Sequence, residues 1–484
     1  MIEKRKTTFY NIQTIERIPQ LAQLSAETIF AMKVVGHVLP FRTNNYVCDD
    51  LIDWSRVPHD PMFQLTFPQR GMLTERQFDR MARALRNNVP RDEVSRIANE
   101  IRAELNPHPA GQKTANVPSW EGEPVAGLQH KYRETVLVFP SSGQTCHAYC
   151  TFCFRWPQFV GMGDLKFATD ESLRFQDYIR NHKEITDVLV TGGDPMIMSA
   201  KNLRKYLEPF MGPDFAHVRT IRIGTKSVAY WPYRFVTDKD AELVLELFRD
   251  LVAAGKHLSI MGHHSHPVEL ETPVAQEAIR QIRSTGAQYR TQSPVIRHVN
   301  DDPAVWSRMW QLQVELGCVP YYMFVERDTG PCGYFEVPLV RTLQIYRTAI
   351  QNVSGLGRTV RGPSMSALPG KVHVDGLAEI AGEKVFVLSF LQARNPDWVR
   401  RPFFAKYDRH ATWLDQLRPA FGESQFFFEA ELTALLGSGG DPVWQNGRAR
   451  ETAIASGAAV SAAESQAAWT VRQAGAESWA DAQT

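Results

Sequence analysis

Cys146-His-Ala-Tyr-Cys150-Thr-Phe-Cys153 is the stretch on which the reading of this chain turns. Three of the six cysteines fall here, with three and then two residues between them. Thiolates so spaced on one loop can ligate a single iron–sulfur cluster, and three protein ligands leave one iron open to a small molecule. Zinc is the competing reading. It needs a fourth Cys or His at tetrahedral distance, and His147, adjacent to a ligand in sequence, is badly placed to serve. Cys48, Cys318 and Cys332 are scattered and read as free thiols, Cys332 being the one that can lie near a pocket. With no disulfide framework and an oxygen-sensitive cluster, the expected compartment is the reducing cytoplasm.

Working outward, the loop follows Thr135-Val-Leu-Val-Phe139, a short apolar run of β-formers closed by Pro140. Similar runs recur at Asp187–Thr191, Thr220–Gly224, His257–Gly262 and Cys318–Val325. Helical stretches separate them, at Glu171–His182, Lys201–Phe210, Asp238–Ala254, Pro273–Thr285, Pro303–Leu316 and Pro338–Asn352. Buried strands alternating with crossover helices give an α/β fold with a parallel sheet, and about six repeats suit a full or partial barrel. In such barrels the chemistry lies on loops after the C-terminal strand ends. The cysteine loop and Gly192-Gly193-Asp194 are both expected on that face.

Around the cysteines stand Cys153-Phe-Arg155-Trp, Asp187-Val-Leu-Val-Thr-Gly-Gly-Asp194-Pro, Ile221-Arg-Ile-Gly224, His263-His-Ser-His266-Pro, Gln292-Ser293, Val299-Asn-Asp301, Pro320-Tyr-Tyr-Met-Phe and Pro369-Gly-Lys371. In this order, over roughly residues 130–375, they resemble the lysine 2,3-aminomutase family of the radical S-adenosylmethionine (SAM) superfamily. The resemblance implies a partial (β/α)6 barrel, a [4Fe–4S] cluster on Cys146, Cys150 and Cys153, and SAM chelated to the open iron. One electron then cleaves SAM to a 5′-deoxyadenosyl radical, chemistry that side chains alone do not reach. A donor such as flavodoxin or ferredoxin is the expected reductant.

The resemblance also assigns roles. Gly192, Gly193 and Asp194 would meet the SAM amino group, glycine allowing close backbone approach and Asp194 a counter-charge. His263 and His266 fall on the SAM side, and Gln292 near a phosphate. Arg155 would grip the carboxylate of an amino-acid substrate. Lys371 would form a Schiff base with pyridoxal phosphate (PLP). Two departures bear on PLP: the family's lysine follows several glycines, whereas Lys371 follows one, and the family's basic residue before the first strand is Thr135 here, with Lys131 or Arg133 as substitutes. Asp328 matches approximately an acidic residue that meets a substrate ammonium, but the second such position is Ser364, so free lysine is not the assured substrate. No cysteine follows Cys332, and no structural zinc is expected.

The function expected is an amino-acid 2,3-aminomutase. The alternatives are a PLP-free radical SAM enzyme on the same scaffold and a non-catalytic Fe–S or zinc protein, the latter disfavoured because electron-transfer clusters normally close all four positions. The balance of 54 basic against 53 acidic residues in 484 leaves no nucleic-acid footprint. No apolar run reaches the length of a membrane span. Residues 1–125 read as a helical region with helices at Leu73–Leu85 and Arg91–Arg102; the barrel takes 126–375. A closing segment follows over 376–436, with a strand at Lys384–Phe390 and a helix and turn within Trp413–Phe428. The Ala/Gly-rich stretch 437–484 is expected to be a flexible tail.

Overall fold

A computed structural model describes residues 2–161, 167–169 and 172–437. All but the first residue of the expected tail lies outside the described residues. One sheet of eleven strands dominates: β1 (Leu128–Tyr132), β2 (Thr135–Val138), β3 (Asp187–Val190), β4 (Thr220–Thr225), β5 (His257–His263), β6 (Gln288–Val295), β7 (Val319–Val325), β8 (Arg361–Ser366), β9 (Gly370–Ile380), β10 (Glu383–Ala393) and β11 (Phe403–Lys406). Neighbours in space are neighbours in sequence throughout. β2 to β8 run parallel; β1 and β9 to β11 pair antiparallel at the two ends.

Between consecutive parallel strands lie α4 (Ser172–Asn181), α5 (Ala200–Leu207), α6 (Ala241–Ala253), α7 (Pro273–Ser284), α8 (Pro303–Glu315) and α9 (Leu339–Gln351), preceded in the chain by α1 (Ala26–Val38), α2 (Glu75–Arg86) and α3 (Arg91–Glu104). The helices begin where the sequence supplies caps. Thr74 and Gln77 form a capping box at α2, and Ser199, Thr272 and Asp302 each accept a backbone N–H at α5, α7 and α8. Val188, Val190, Ile221, Ile223, Leu258 and Ile260 are buried against Phe175, Leu203, Leu247, Phe248 and Ile279 from these helices. That burial leaves the alternate strand residues facing inward, where Arg222 pairs with Asp187 at 2.5 Å. The two sheet ends come near one another without pairing: Arg394, just past β10, donates to the carbonyls of Ala115 and Leu368.

Several expectations are corrected. β6 and β8 went unread as strands. β6 buries every second residue, but Gln288, Arg290, Gln292 and Pro294 on its other face disguise the alternation. β8 contains Gly362 and Pro363, residues that normally mark turns. Lys371 is not in a loop: it is the second residue of β9, opposite Ser366 and Gln392. Trp413–Phe428 holds a single 3-10 turn at Leu414–Gln416, and the closing helix, α10, lies later at Glu429–Gly437. The N-terminal region is not wholly helical, since Phe9–Asn11 and Arg42–Asn44 pair antiparallel.

Candidate active site

The cysteine loop leaves the C-terminal end of β2 and is held from both sides. Tyr149 and Thr151 donate their backbone N–H groups to the carbonyls of Arg42 and Leu65. The Thr151 hydroxyl donates to Gln64 O at 2.8 Å. Asn44 Nδ2 bridges His147 O and Tyr230 O, at 3.1 and 3.0 Å. Phe152 packs edge-on to His263, and Trp156 Nε1 donates to Thr329 Oγ1 at 3.0 Å. Phe152 and Trp156 are buried in the same apolar cluster as α1 and α2, so the N-terminal region is the back wall of this loop. Sequence spacing carries no trace of that role, because Arg42 and Leu65 act through backbone carbonyls.

Burial pushes the thiols of Cys146, Cys150 and Cys153 up, Cys150 to about 12; Cys153 adds to the rise at Cys146 and Cys150, and Cys150 adds to that at Cys146. Two groups oppose that around Cys150: the Lys226 ammonium, and the Tyr230 hydroxyl at 3.2 Å from Sγ. Among the described residues no three His, Cys, Asp or Glu side chains converge to hold one metal ion. Three half-buried thiols spread along one loop fit a cluster, whose irons occupy separate corners, better than a mononuclear centre. His147 is buried neutral against Ser227 Oγ at 3.0 Å, its pKa lowered to about 3 by desolvation.

Gly192-Gly193-Asp194 leaves β3 directly against this loop. Gly192 has φ +149°, and a Cβ on Gly193 would lie 2.5 Å from Thr145 O, so the close approach needs glycine. The backbone N–H of Asp194 donates to Thr145 O at 2.8 Å. Its carboxylate, 2% exposed, accepts from Met196 N, Thr225 Oγ1, Lys226 N and Ser227 Oγ, all within 3.0 Å. An ionised carboxylate offers about four acceptor sites, and four donors of this chain fill them. Asp194 is therefore the knot tying the cysteine loop to the ends of β3 and β4. In Asp194→Ala two hydroxyls and two amides lose their acceptor. The expected cost is roughly 3 kcal/mol or more, read as a lower melting temperature; an unchanged melt would contradict the knot.

His263 ends β5, with His264 and His266 following. Burial lowers His263 well below its usual value and His266 to about 4, so both are neutral. Their loop is organised by Lys226 and Glu269, a buried ion pair at 2.6 Å. Lys226 Nζ also lies 3.3 Å from His263 O and from Ser265 Oγ, and Glu269 accepts from the backbone N–H groups of Ser265 and His266. Lys226, Tyr230 and Glu269 are the parts of the site that sequence reasoning missed. Lys226 stands one residue beyond β4, a position that in a barrel points to the chemistry. Gln292 sits on β6 beside His263 of β5 and Tyr322 of β7.

Arg155 lies 4.3 Å from the Phe139 ring centroid and 4.8 Å from that of Phe154. Burial lowers its pKa to about 9, with Cys153 and Cys146 opposing the shift. Lys371 Nζ lies 3.9 Å from the Tyr322 ring centroid and 5.2 Å from that of Phe324. Burial first, then Arg222 and Arg361, lower its pKa to about 7. The structure thus brings Arg155 to the cysteine loop and Lys371 among the inward residues of the strands. Asp328 goes elsewhere: Oδ2 accepts from Asn106 Nδ2 at 3.3 Å, and with Glu326, Glu336 and Cys332 it lines a separate cavity of about 70 Å³.

No family model matches the chain. A protein of Aquifex aeolicus (strain VF5) that carries the provisional name L-lysine 2,3-aminomutase is 29% identical over 412 residues, 85% of this chain and 95% of that one. The L-lysine 2,3-aminomutases of Methanococcus maripaludis and Clostridium subterminale are 28% and 26% identical, and the chain spans 51% and 61% of their lengths. A radical SAM methyltransferase from Sphaerobacter thermophilus superposes with a TM-score of 0.33 at 14% identity, over 46% of this chain and 66% of that one, too loosely to bear on function. Together with the cysteine loop and the Gly-Gly-Asp knot, these relatives support the resemblance of the chain to the lysine 2,3-aminomutase family of radical SAM proteins.

Proposed function

We propose that the protein is a radical SAM aminomutase that moves the α-amino group of an amino acid to its β-carbon on a partial (β/α)6 barrel. The carrying observation is two unlike reactive groups on one sheet, one after β2 and the other on β9 with its amine over the rings of β7. One is the three-thiol loop at the mouth; the other is Lys371, a buried amine with no carboxylate partner among the described residues. The consecutive order of β2 to β8 supports the barrel. When bound, the [4Fe–4S] cluster supplies the electron that splits the SAM sulfonium, and PLP supplies the conjugated system on which nitrogen migrates.

The chain's own residues do the rest. Cys146, Cys150 and Cys153 hold the cluster, with the Tyr230 hydroxyl and Lys226 offsetting the buried thiolate of Cys150. The backbone at Gly192 and Gly193 lets a ligand approach. Arg155 holds the substrate carboxylate beside the cluster, its guanidinium flanked by the rings of Phe139 and Phe154. Lys371, half neutral near pH 7, is poised to bind PLP covalently, and Lys131, Arg222 and Arg361 make its surroundings hospitable to a phosphate.

The test is anaerobic reconstitution followed by SAM, a strong reductant, PLP and single amino acids. The expected result is 5′-deoxyadenosine with wild-type protein and a β-amino product from at least one amino acid. No 5′-deoxyadenosine under any condition would overturn the proposal.

A further inference from the structure

The cysteine loop faces a group of cations that outnumbers what one substrate carboxylate requires. Arg327, two residues past β7, lies 4.8 Å from the Phe154 ring centroid, the same distance as Arg155. The two guanidinium carbons are therefore no further apart than twice that distance, a span that a short dicarboxylic acid bridges. Beyond burial, Arg327 lowers the pKa of Arg155 and of Lys131, while Asp328 and Tyr132 oppose the effect of burial on Arg327 itself. Among the described residues neither arginine forms an ion pair. Arg327 Nη2 donates to Ser366 O at 3.2 Å, but its Nε is buried with no acceptor. Two residues earlier on β8, Ser364 is fully buried and its Oγ is also without a partner.

A poorly solvated guanidinium is costly unless an anion joins it; Asp328 offsets part of that cost at Arg327, and at Arg155 only the cysteine thiols do. A cationic side chain entering here would add a further positive charge to Arg155, Arg327 and Lys131. Of the nearby carboxylates, Asp328 accepts from Asn106 through Oδ2 and, with Glu326, Glu336 and Arg327, lines the cavity of about 70 Å³. We propose that Arg155 and Arg327 together hold the two carboxylates of a dicarboxylic amino acid, so that the substrate is of the acidic class. This rests on the aminomutase reading, and specifically on Arg155 as the holder of the α-carboxylate.

Binding of L-aspartate, L-glutamate, L-alanine and L-lysine to the reconstituted, PLP-loaded protein with SAM and no reductant, measured by calorimetry, tests it. A dicarboxylic amino acid should bind at least about tenfold more tightly than lysine. Arg327→Ala should weaken that binding by roughly ten- to a hundredfold, the worth of a charge-assisted hydrogen bond, and abolish the preference over alanine. Arg327→Lys should recover part of it, and stands in if Arg327→Ala does not fold: Arg327→Lys against Arg327→Gln then reads the charge. Tighter binding of lysine, or a diacid affinity indifferent to residue 327 in a variant that melts like wild type, overturns the inference. Wild-type 5′-deoxyadenosine formation separates the two levels. If it occurs and diacids do not bind, only the substrate class fails; if it does not occur, the aminomutase reading fails with it.

Discussion

Cys150→Ala is expected to lose the iron–sulfur cluster and, with it, all SAM cleavage, while the fold survives. A cube held by three thiolates is not retained on two. The loop itself does not depend on Cys150. Its neighbours Tyr149 and Thr151 are anchored through backbone bonds to Arg42 and Leu65, so the melting free energy should change by only about 1 kcal/mol. Reconstituted wild type should carry about four irons per chain and the variant close to none. Cys318→Ala, which alters a buried thiol far along the chain on the helical side of the sheet, should keep the full complement. The mutated thiol is one that burial holds near pKa 12, countered by Lys226 and Tyr230. Without bound iron, therefore, a thiolate-directed alkylating agent at neutral pH should react slowly with Cys150. Full iron content and 5′-deoxyadenosine formation in Cys150→Ala would remove the basis of the site.

The parts legible in the sequence were those whose chemistry is local. Three cysteines on one loop, strands such as Asp187-Val-Leu-Val with both faces covered, and helix starts such as Thr74 with Gln77 each carry their signal within a few residues. What escaped depends on partners distant in sequence. β6 looks polar because one of its faces turns toward the interior, where Gln292 sits beside His263 and Tyr322. β8 is a strand despite Gly362 and Pro363 because β7 and β9 flank it on both sides. The bonds that Asp194 accepts from Thr225, Lys226 and Ser227 at the next strand end have no signature in the Gly-Gly-Asp motif itself. Lys226 pairs with Glu269, on the far side of β5, and no motif links the two. Asp328 falls at approximately the right place in the family's order, yet turns to Asn106 from the N-terminal region.

Lys371→Ala is expected to abolish PLP retention and all amino migration while leaving the fold intact. β9 keeps its ladder, because Lys371 pairs with Ser366 and Gln392 through the backbone, and the side chain makes ring contacts with Tyr322 and Phe324 and, among the described residues, no ion pair. An ordinary lysine, with a pKa near 10.4, is neutral in only about one molecule in 2,500 at pH 7. Desolvation together with Arg222 and Arg361 brings Lys371 to about 7, so about half the molecules present a free lone pair. Protonation blocks that lone pair, so the reactive fraction grows as pH rises through 7. Covalent uptake of PLP by wild type should accordingly be half-maximal near pH 7, about three pH units below an exposed lysine. Borohydride treatment followed by peptide mass analysis should place the pyridoxyl group on the peptide containing Lys371 and find none in Lys371→Ala or Lys371→Arg. Lys131 is the internal competitor: it is buried, electrostatically coupled to Lys371 and also shifted well below its usual value, but it donates to Ala367 O, which holds its ammonium in place. A pyridoxyl group found on Lys131 would move the covalent role there. Failure of wild type to take up PLP would leave the three-cysteine loop serving a PLP-free radical reaction, with the buried amine of Lys371 left to bind an anion.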